Sequence, residues 1–238
     1  MTKRGKFNQI ARDIKSIKIQ GARNIAKQAL YAYSLFPTEN SKNKLLSLRP
    51  TEPLLVNVLK KATGSNTGAL IQHFDGAQEE INKLVLDLIE DGDVIYTHCH
   101  STNVVNALVY AKKKKKKFEV YNTETRPLFQ GRKTAKDLKK AKIKVTMFVD
   151  SAMDIALSDK QGTKRATKIF LGADALLGKG VINKVGSGVI AKLSKINKIP
   201  LYIVADSWKY SSKKMKIEQR DFHEVWNKLS RKSEIKIR

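Results

Sequence analysis

The chain of 238 residues carries one cysteine, five prolines and few aromatic side chains. A single cysteine closes no internal disulfide, which excludes a disulfide-stapled scaffold and fits a reducing interior. No uninterrupted apolar run approaches the length needed to span a bilayer, so a membrane partner is not expected. The opening Met1-Thr2-Lys3-Arg4-Gly5-Lys6 is basic, but no apolar stretch follows it, and a secretory leader is not expected either. These absences point to a soluble cytoplasmic protein. Acidic side chains are also scarce: 22 Asp and Glu against 47 Lys and Arg give a formal net charge of +25. The excess admits three readings: nucleic-acid binding through phosphate neutralisation, steering of a multiply charged phosphate substrate, or a composition that simply favours Lys. The charge is spread along the chain, and only Lys112 to Lys117 forms a block. Clustered Arg with interleaved aromatics is missing, so a nucleic-acid partner is the least expected of the three.

What is present suffices for a packed core: 41% of the residues are hydrophobic. Apolar positions Phe7, Ile10, Ala11, Ile14 and Ile17 recur at helical spacing, as do Ala22, Ile25, Ala26, Ala29 and Leu30. Pro37, Pro50 and Pro53 then punctuate a stretch read as loop-rich. A third amphipathic pattern runs from Ala69 to Glu90. From Asp91 the rhythm changes. Short β-rich runs at 94–97, 118–121, 145–149, 168–171 and 201–205 alternate with helix-compatible segments at 103–111, 134–141, 151–157 and 189–196. That alternation predicts an α/β fold: an N-terminal helical domain over 1–90, then a Rossmann-like parallel-sheet domain over 91–238.

In such a sheet the reactive residues belong outside the carboxyl ends of the strands. Polar residues fall there: Thr97 to Asn103, Thr123 to Arg126, Asp150-Ser151, Gly172-Ala173-Asp174 and Asp206 to Lys209. Cys99 lies between a strand and a helix, where the positive end of the helix dipole favours a thiolate; the bland alternative is an inert thiol. The backbone N–H groups of Ser101, Thr102 and Asn103 are suited to a phosphate. His98 and His100 suggest a metal, but alternate residues on an extended chain diverge and no third ligand stands out, so no metal site is expected. Asp174 follows Gly172-Ala173; shielded from water, it could keep its proton and act as a general acid, or it could cap a turn. Asn183, Lys184 and Lys209 suit sugar hydroxyls or phosphate.

In order, the chain carries Thr97-His98-Cys99-His100-Ser101, Thr123-Glu124-Thr125-Arg126-Pro127 with Gln130-Gly131, Asp150-Ser151-Ala152, Gly172-Ala173-Asp174 and Ile182-Asn183-Lys184-Val185-Gly186. This set, from about Arg12 to Tyr210, resembles the family that joins archaeal ribose-1,5-bisphosphate isomerases, methylthioribose-1-phosphate isomerases and regulatory subunits of translation initiation factor 2B. The resemblance implies assembly through dimers, with Cys99 and Asp174 as the catalytic pair. It also implies substrate contacts at Gly21-Ala22, Arg49, Ser101 to Asn103, Asn183-Lys184 and Lys209. Gln20 stands where the family carries Arg, and Arg23 lies close enough in sequence to substitute for it. The regulatory subunits generally lack the Cys and Asp pair, which favours an enzyme. Thr123 to Gln130 and Asp206 to Tyr210 look closer to the ribose bisphosphate branch. The implied reaction is isomerisation of ribose 1,5-bisphosphate to ribulose 1,5-bisphosphate in nucleotide (AMP) ribose salvage, without a cofactor. The rivals are methylthioribose-1-phosphate isomerisation and a non-catalytic regulatory role.

Overall fold

The computed structural model describes residues 1–159 and 161–212. The N-terminal part is helical: α1 (Lys3–Lys15), α2 (Ala22–Leu35), α3 (Glu39–Leu48), α4 (Pro53–Lys61) and α5 (Thr67–Leu88). Here the sequence reading needs correction, because the proline-punctuated stretch holds two helices. Thr38 caps α3 by accepting the Ser41 N–H, and Pro53 opens α4 at a first-turn position where its missing N–H costs nothing. These helices close on one apolar core built from Phe7, Ile14, Ile25, Leu30, Leu45, Leu55, Leu59 and Phe74.

The remainder is β1 (Val94–Thr97), α6 (Thr102–Lys113), β2 (Glu119–Thr123), α7 (Gln130–Lys140), β3 (Lys144–Phe148) and α8 (Met153–Leu157). It continues with β4 (Lys168–Leu171), β5 (Ala175–Leu177), β6 (Gly180–Ile182), α9 (Ser187–Ile196), β7 (Leu201–Ile203) and β8 (Tyr210–Ser211). Five strands form one all-parallel sheet in the order β3-β2-β1-β4-β7. Side chains alternate between its faces. Ile95, Val120 and Phe170 meet α6, α7 and the end of α5, whereas Val94, Tyr96, Ile169 and Leu171 meet α8 and α9. Burial on both faces explains why these strands read as continuous apolar runs. The small second sheet, β6-β5-β8, was not anticipated. Its strands have two or three residues each, too short to show a period.

The strand order reverses at β1, whose neighbours are β2 on one side and β4 on the other. The crevice outside their carboxyl ends is where an open α/β sheet binds ligands. Residues 213–238 of the expected second domain lie outside the described residues.

Candidate active site

Cys99 follows β1 and Asp174 follows β4, so the two flank this switch point. The turns that carry them touch. A Cβ placed on Gly172 would fall 2.6 Å from both Cβ and Oγ of Ser101, so only glycine lets the turn after β4 lie against the start of α6. The Asp174 N–H donates to the Ile182 carbonyl at 2.8 Å, fixing its backbone to the second sheet.

Cys99 adopts a left-handed backbone (φ 68°), unusual for a residue with a side chain. Its N–H donates to Thr125 Oγ1 at 3.0 Å, and its carbonyl accepts from Thr134 Oγ1 at 2.8 Å. The backbone N–H of His100 turns toward the sulfur. Burial nevertheless pushes the thiol up to about 11, with the Asp174 and Asp150 charges adding to the rise and Lys184 opposing it. The sequence expectation of a dipole-stabilised thiolate is thereby overturned. The cap of α6 is Ser101, two residues beyond Cys99, and partial desolvation of the half-buried thiol outweighs the help from the helix end.

His98 is buried with both ring nitrogens engaged, Nδ1 with Thr123 Oγ1 at 2.5 Å and Nε2 with the Val185 carbonyl at 2.8 Å. A carbonyl only accepts, so Nε2 carries the proton and Nδ1 receives the Thr123 hydroxyl. Burial lowers its pKa, and the ring ties the turn after β1 to the segment that carries Lys184. His100 contacts Thr134 Oγ1 through Nδ1 at 3.0 Å and Lys133 Nζ through Nε2 at 2.9 Å. Burial and the Lys133 charge push it down to about 4. Among the described residues no group of three His, Cys, Asp or Glu could hold a metal ion.

The other candidates divide into three groups. Lys184 lies near enough to lower the pKa of both His98 and Cys99 by its charge, and Asn183 Nδ2 donates to Ser187 Oγ at 2.9 Å. Lys209 is buried, donates to the Ala173 carbonyl at 2.6 Å beside Asp174, and senses the charges of Asp174, Glu52 and Asp206. Arg49 joins this group through its 3.0 Å ion pair with Glu52. Asn57 of α4 holds the Trp208–Tyr210 turn in place, donating to the Trp208 carbonyl at 2.7 Å and the Tyr210 carbonyl at 2.8 Å. His73 of α5 stacks on Trp208 with centroids 3.5 Å apart.

The third group lies at the starts of α2 and α6. Gln20 and Gly21 are exposed and Ala22 half-buried at the start of α2. Arg23 pairs with Asp75 at 2.5 Å and donates to Gln78 Oε1 at 3.2 Å, so its guanidinium is committed to α5 instead of standing in for Gln20. Gln78 Oε1 also accepts from Asn103 Nδ2 at 3.0 Å, so the Asn103 amide faces α5. Ser101 Oγ accepts the Val104 N–H at 3.4 Å, and Thr102 begins α6 half-buried beside it.

One expectation changes further. Asp174 is exposed in this chain, not shielded from water. Lys112 to Lys117 connects α6 to the amino end of β2, the edge of the sheet opposite the crevice, and does not line the site. Two residues of the sequence motifs that were given no individual role build the site from behind. Asp150 accepts the N–H groups of Thr125 (2.8 Å) and Arg126 (2.6 Å). Gly131 lies so close to β2 that an added Cβ would sit 1.7 Å from the Thr123 carbonyl oxygen.

The fold and this rim define a Rossmann-like protein with a thiol and a carboxylate across the switch point. The chain belongs to the initiation factor 2 subunit family, whose model matches residues 20–237. It is 33% identical to the ribose 1,5-bisphosphate isomerase of Thermococcus kodakarensis, covering 91% of this chain and 78% of the relative. Identity to the ribose 1,5-bisphosphate isomerase of Methanocaldococcus jannaschii is 34%, covering 94% and 82%. Among solved structures, the translation initiation factor eIF-2B of Pyrococcus horikoshii superposes with a TM-score of 0.80 at 26% identity, covering 90% of this chain and 85% of that one. Among the described residues no helix is long and apolar enough to cross a membrane.

Proposed function

We propose that the protein is a sugar-phosphate isomerase that converts ribose 1,5-bisphosphate to ribulose 1,5-bisphosphate, with Cys99 and Asp174 as its proton-transfer pair. The observation that carries this reading is the placement of both residues on adjoining turns at the switch point, with Lys184 and Lys209 beside them. The names of the relatives support the substrate.

A furanose phosphorylated at its anomeric oxygen cannot open as a free hemiacetal does. An acid must protonate the ring oxygen as its bond to C1 breaks; hydrogen must pass from C2 to C1; and a base must take the hydroxyl proton as C2 becomes a carbonyl. Asp174 supplies the acid and Cys99 the base. Thiolate with carboxylic acid and thiol with carboxylate hold the same number of protons. Protonating Asp174 removes one of the charges that raise Cys99, so the reactive form is reached by moving one proton within the pair. Lys184, Lys209, Arg49 and the first turn of α6 are suited to hold the two phosphates, and fixed orientation supplies much of the rate gain. The reaction needs no cofactor. Its product suits salvage of nucleotide ribose, including that of AMP, in the cytoplasm, and assembly through dimers belongs to the same reading.

A second reading, a regulatory subunit of the initiation-factor type, is favoured by the P. horikoshii likeness. Phosphorus NMR separates the two. Purified protein is expected to produce ribulose 1,5-bisphosphate, and Cys99→Ser to produce none while still folded. Binding of the sugar without turnover would leave the regulatory reading standing.

A further inference from the structure

The left-handed Cys99 turn is held by two hydroxyls from other elements, and the polarity of each bond can be worked out. An ammonium has only donors, so His100 Nε2 must accept from Lys133 Nζ at 2.9 Å. The ring proton of neutral His100 then resides on Nδ1 and donates to Thr134 Oγ1 at 3.0 Å. With that lone pair used, the Thr134 hydroxyl proton is directed at the Cys99 carbonyl, 2.8 Å away. On the other side Thr125 Oγ1 accepts the Cys99 N–H at 3.0 Å while donating to the Thr123 carbonyl at 3.2 Å. Thr125 is itself anchored from behind by Asp150.

We propose that Thr125 and Thr134 are positioning residues that clamp both backbone groups of Cys99, and that Lys133 and His100 fix the direction of the Thr134 clamp. The inference rests on the reading of Cys99 as the reacting thiol. Neither threonine is assigned to the substrate. A left-handed non-glycine residue persists only where its surroundings dictate it. Here Cys99 stays half-buried, with the His100 N–H set against the sulfur. Lys133 is exposed and pairs with Asp137 at 2.7 Å, so the chain of bonds runs from the surface of α7 to the reacting residue.

Cys99 is the only cysteine, so alkylation by iodoacetamide, read by mass on the peptide that carries Cys99, reports on this thiol apart from the lysines. In Thr134→Val the clamp is lost and the turn relaxes toward ordinary backbone. Burial outweighs the His100 N–H, so the pH midpoint of alkylation should then move down from about 11, with the reaction near neutral pH quickening about three- to fourfold for every pH unit the midpoint falls, because the gain in thiolate is offset in part by its lower nucleophilicity. In turnover, kcat should fall while KM changes little, and Thr134→Ser should recover most of the loss. Lys133→Ala, at a surface position that leaves packing intact, should show the same changes in weaker form. An alkylation profile identical to the natural chain's in both the Val and the Ala variants would overturn the clamp, whatever the turnover. A natural chain that never converts the sugar would instead overturn the isomerase reading, with the alkylation profiles still deciding the clamp.

Discussion

The two halves of the site are built in opposite ways. Cys99 is held through both its N–H and its carbonyl, half-buried, and raised to about 11. Asp174 is exposed on a turn tied through its backbone, by the Ile182 carbonyl and by the Lys209 bond to Ala173 next door. The contrast teaches that the fold alone presets the Cys99 turn, whereas under the proposed reaction Asp174 would need a ligand or neighbouring surface over it to serve as the acid. A carboxyl that met water permanently would not keep its proton near neutral pH, and one buried permanently would need a partner.

Breaking either half should stop turnover. Cys99→Ser and Asp174→Asn are each expected to lower kcat by roughly a thousandfold or more, the upper range for loss of an acid or base; steady-state kinetics on folded protein checks this. Next in size is Gly131→Ala, which forces a methyl into the Thr123 carbonyl behind the Cys99 turn. A loss of about 3 kcal/mol in denaturant unfolding, the upper end for overpacking, is expected, because backbone must move to make room. The coupling between the halves is open to a subtler test. Asp174→Asn removes a charge that raises the Cys99 thiol, so alkylation should quicken at fixed pH, while Lys184→Ala removes a charge that lowers it and should slow the reaction.

The smallest effect concerns the histidines around the Cys99 turn. His98 and His100 are both lowered from an ordinary 6.5, His100 to about 4. The unfolded chain therefore binds more protons in that window, and stability should fall as pH drops from about 6.5 toward about 4. Unfolding midpoints measured across that range should show the slope, and His100→Gln should flatten part of it.

Much of this was legible in the sequence. Strands buried on both faces announce themselves as short apolar runs, and the residues that follow them fall on one rim; Cys99 and Asp174 stand out that way. The helices α3 and α4 were hidden because three prolines read as breakers, although Pro53 in fact starts a helix. The threonine clamp was hidden for a different reason. Thr134 lies 35 residues from Cys99 and Thr125 lies 26 away, and a hydroxyl on a helix or loop carries no mark of what it will bond. The weak acidity of the thiol was equally hidden, because helix position is readable in sequence and burial of a single sulfur is not.

The most direct test of the paired site is the rate at which iodoacetamide modifies Cys99 with and without ribose 1,5-bisphosphate. The sugar should shield Cys99 in the natural chain and in Asp174→Asn alike, as the proposed binding in the crevice between β1 and β4 requires. Unchanged alkylation at a sugar concentration that supports full turnover would contradict the account, because conversion would then take place away from Cys99.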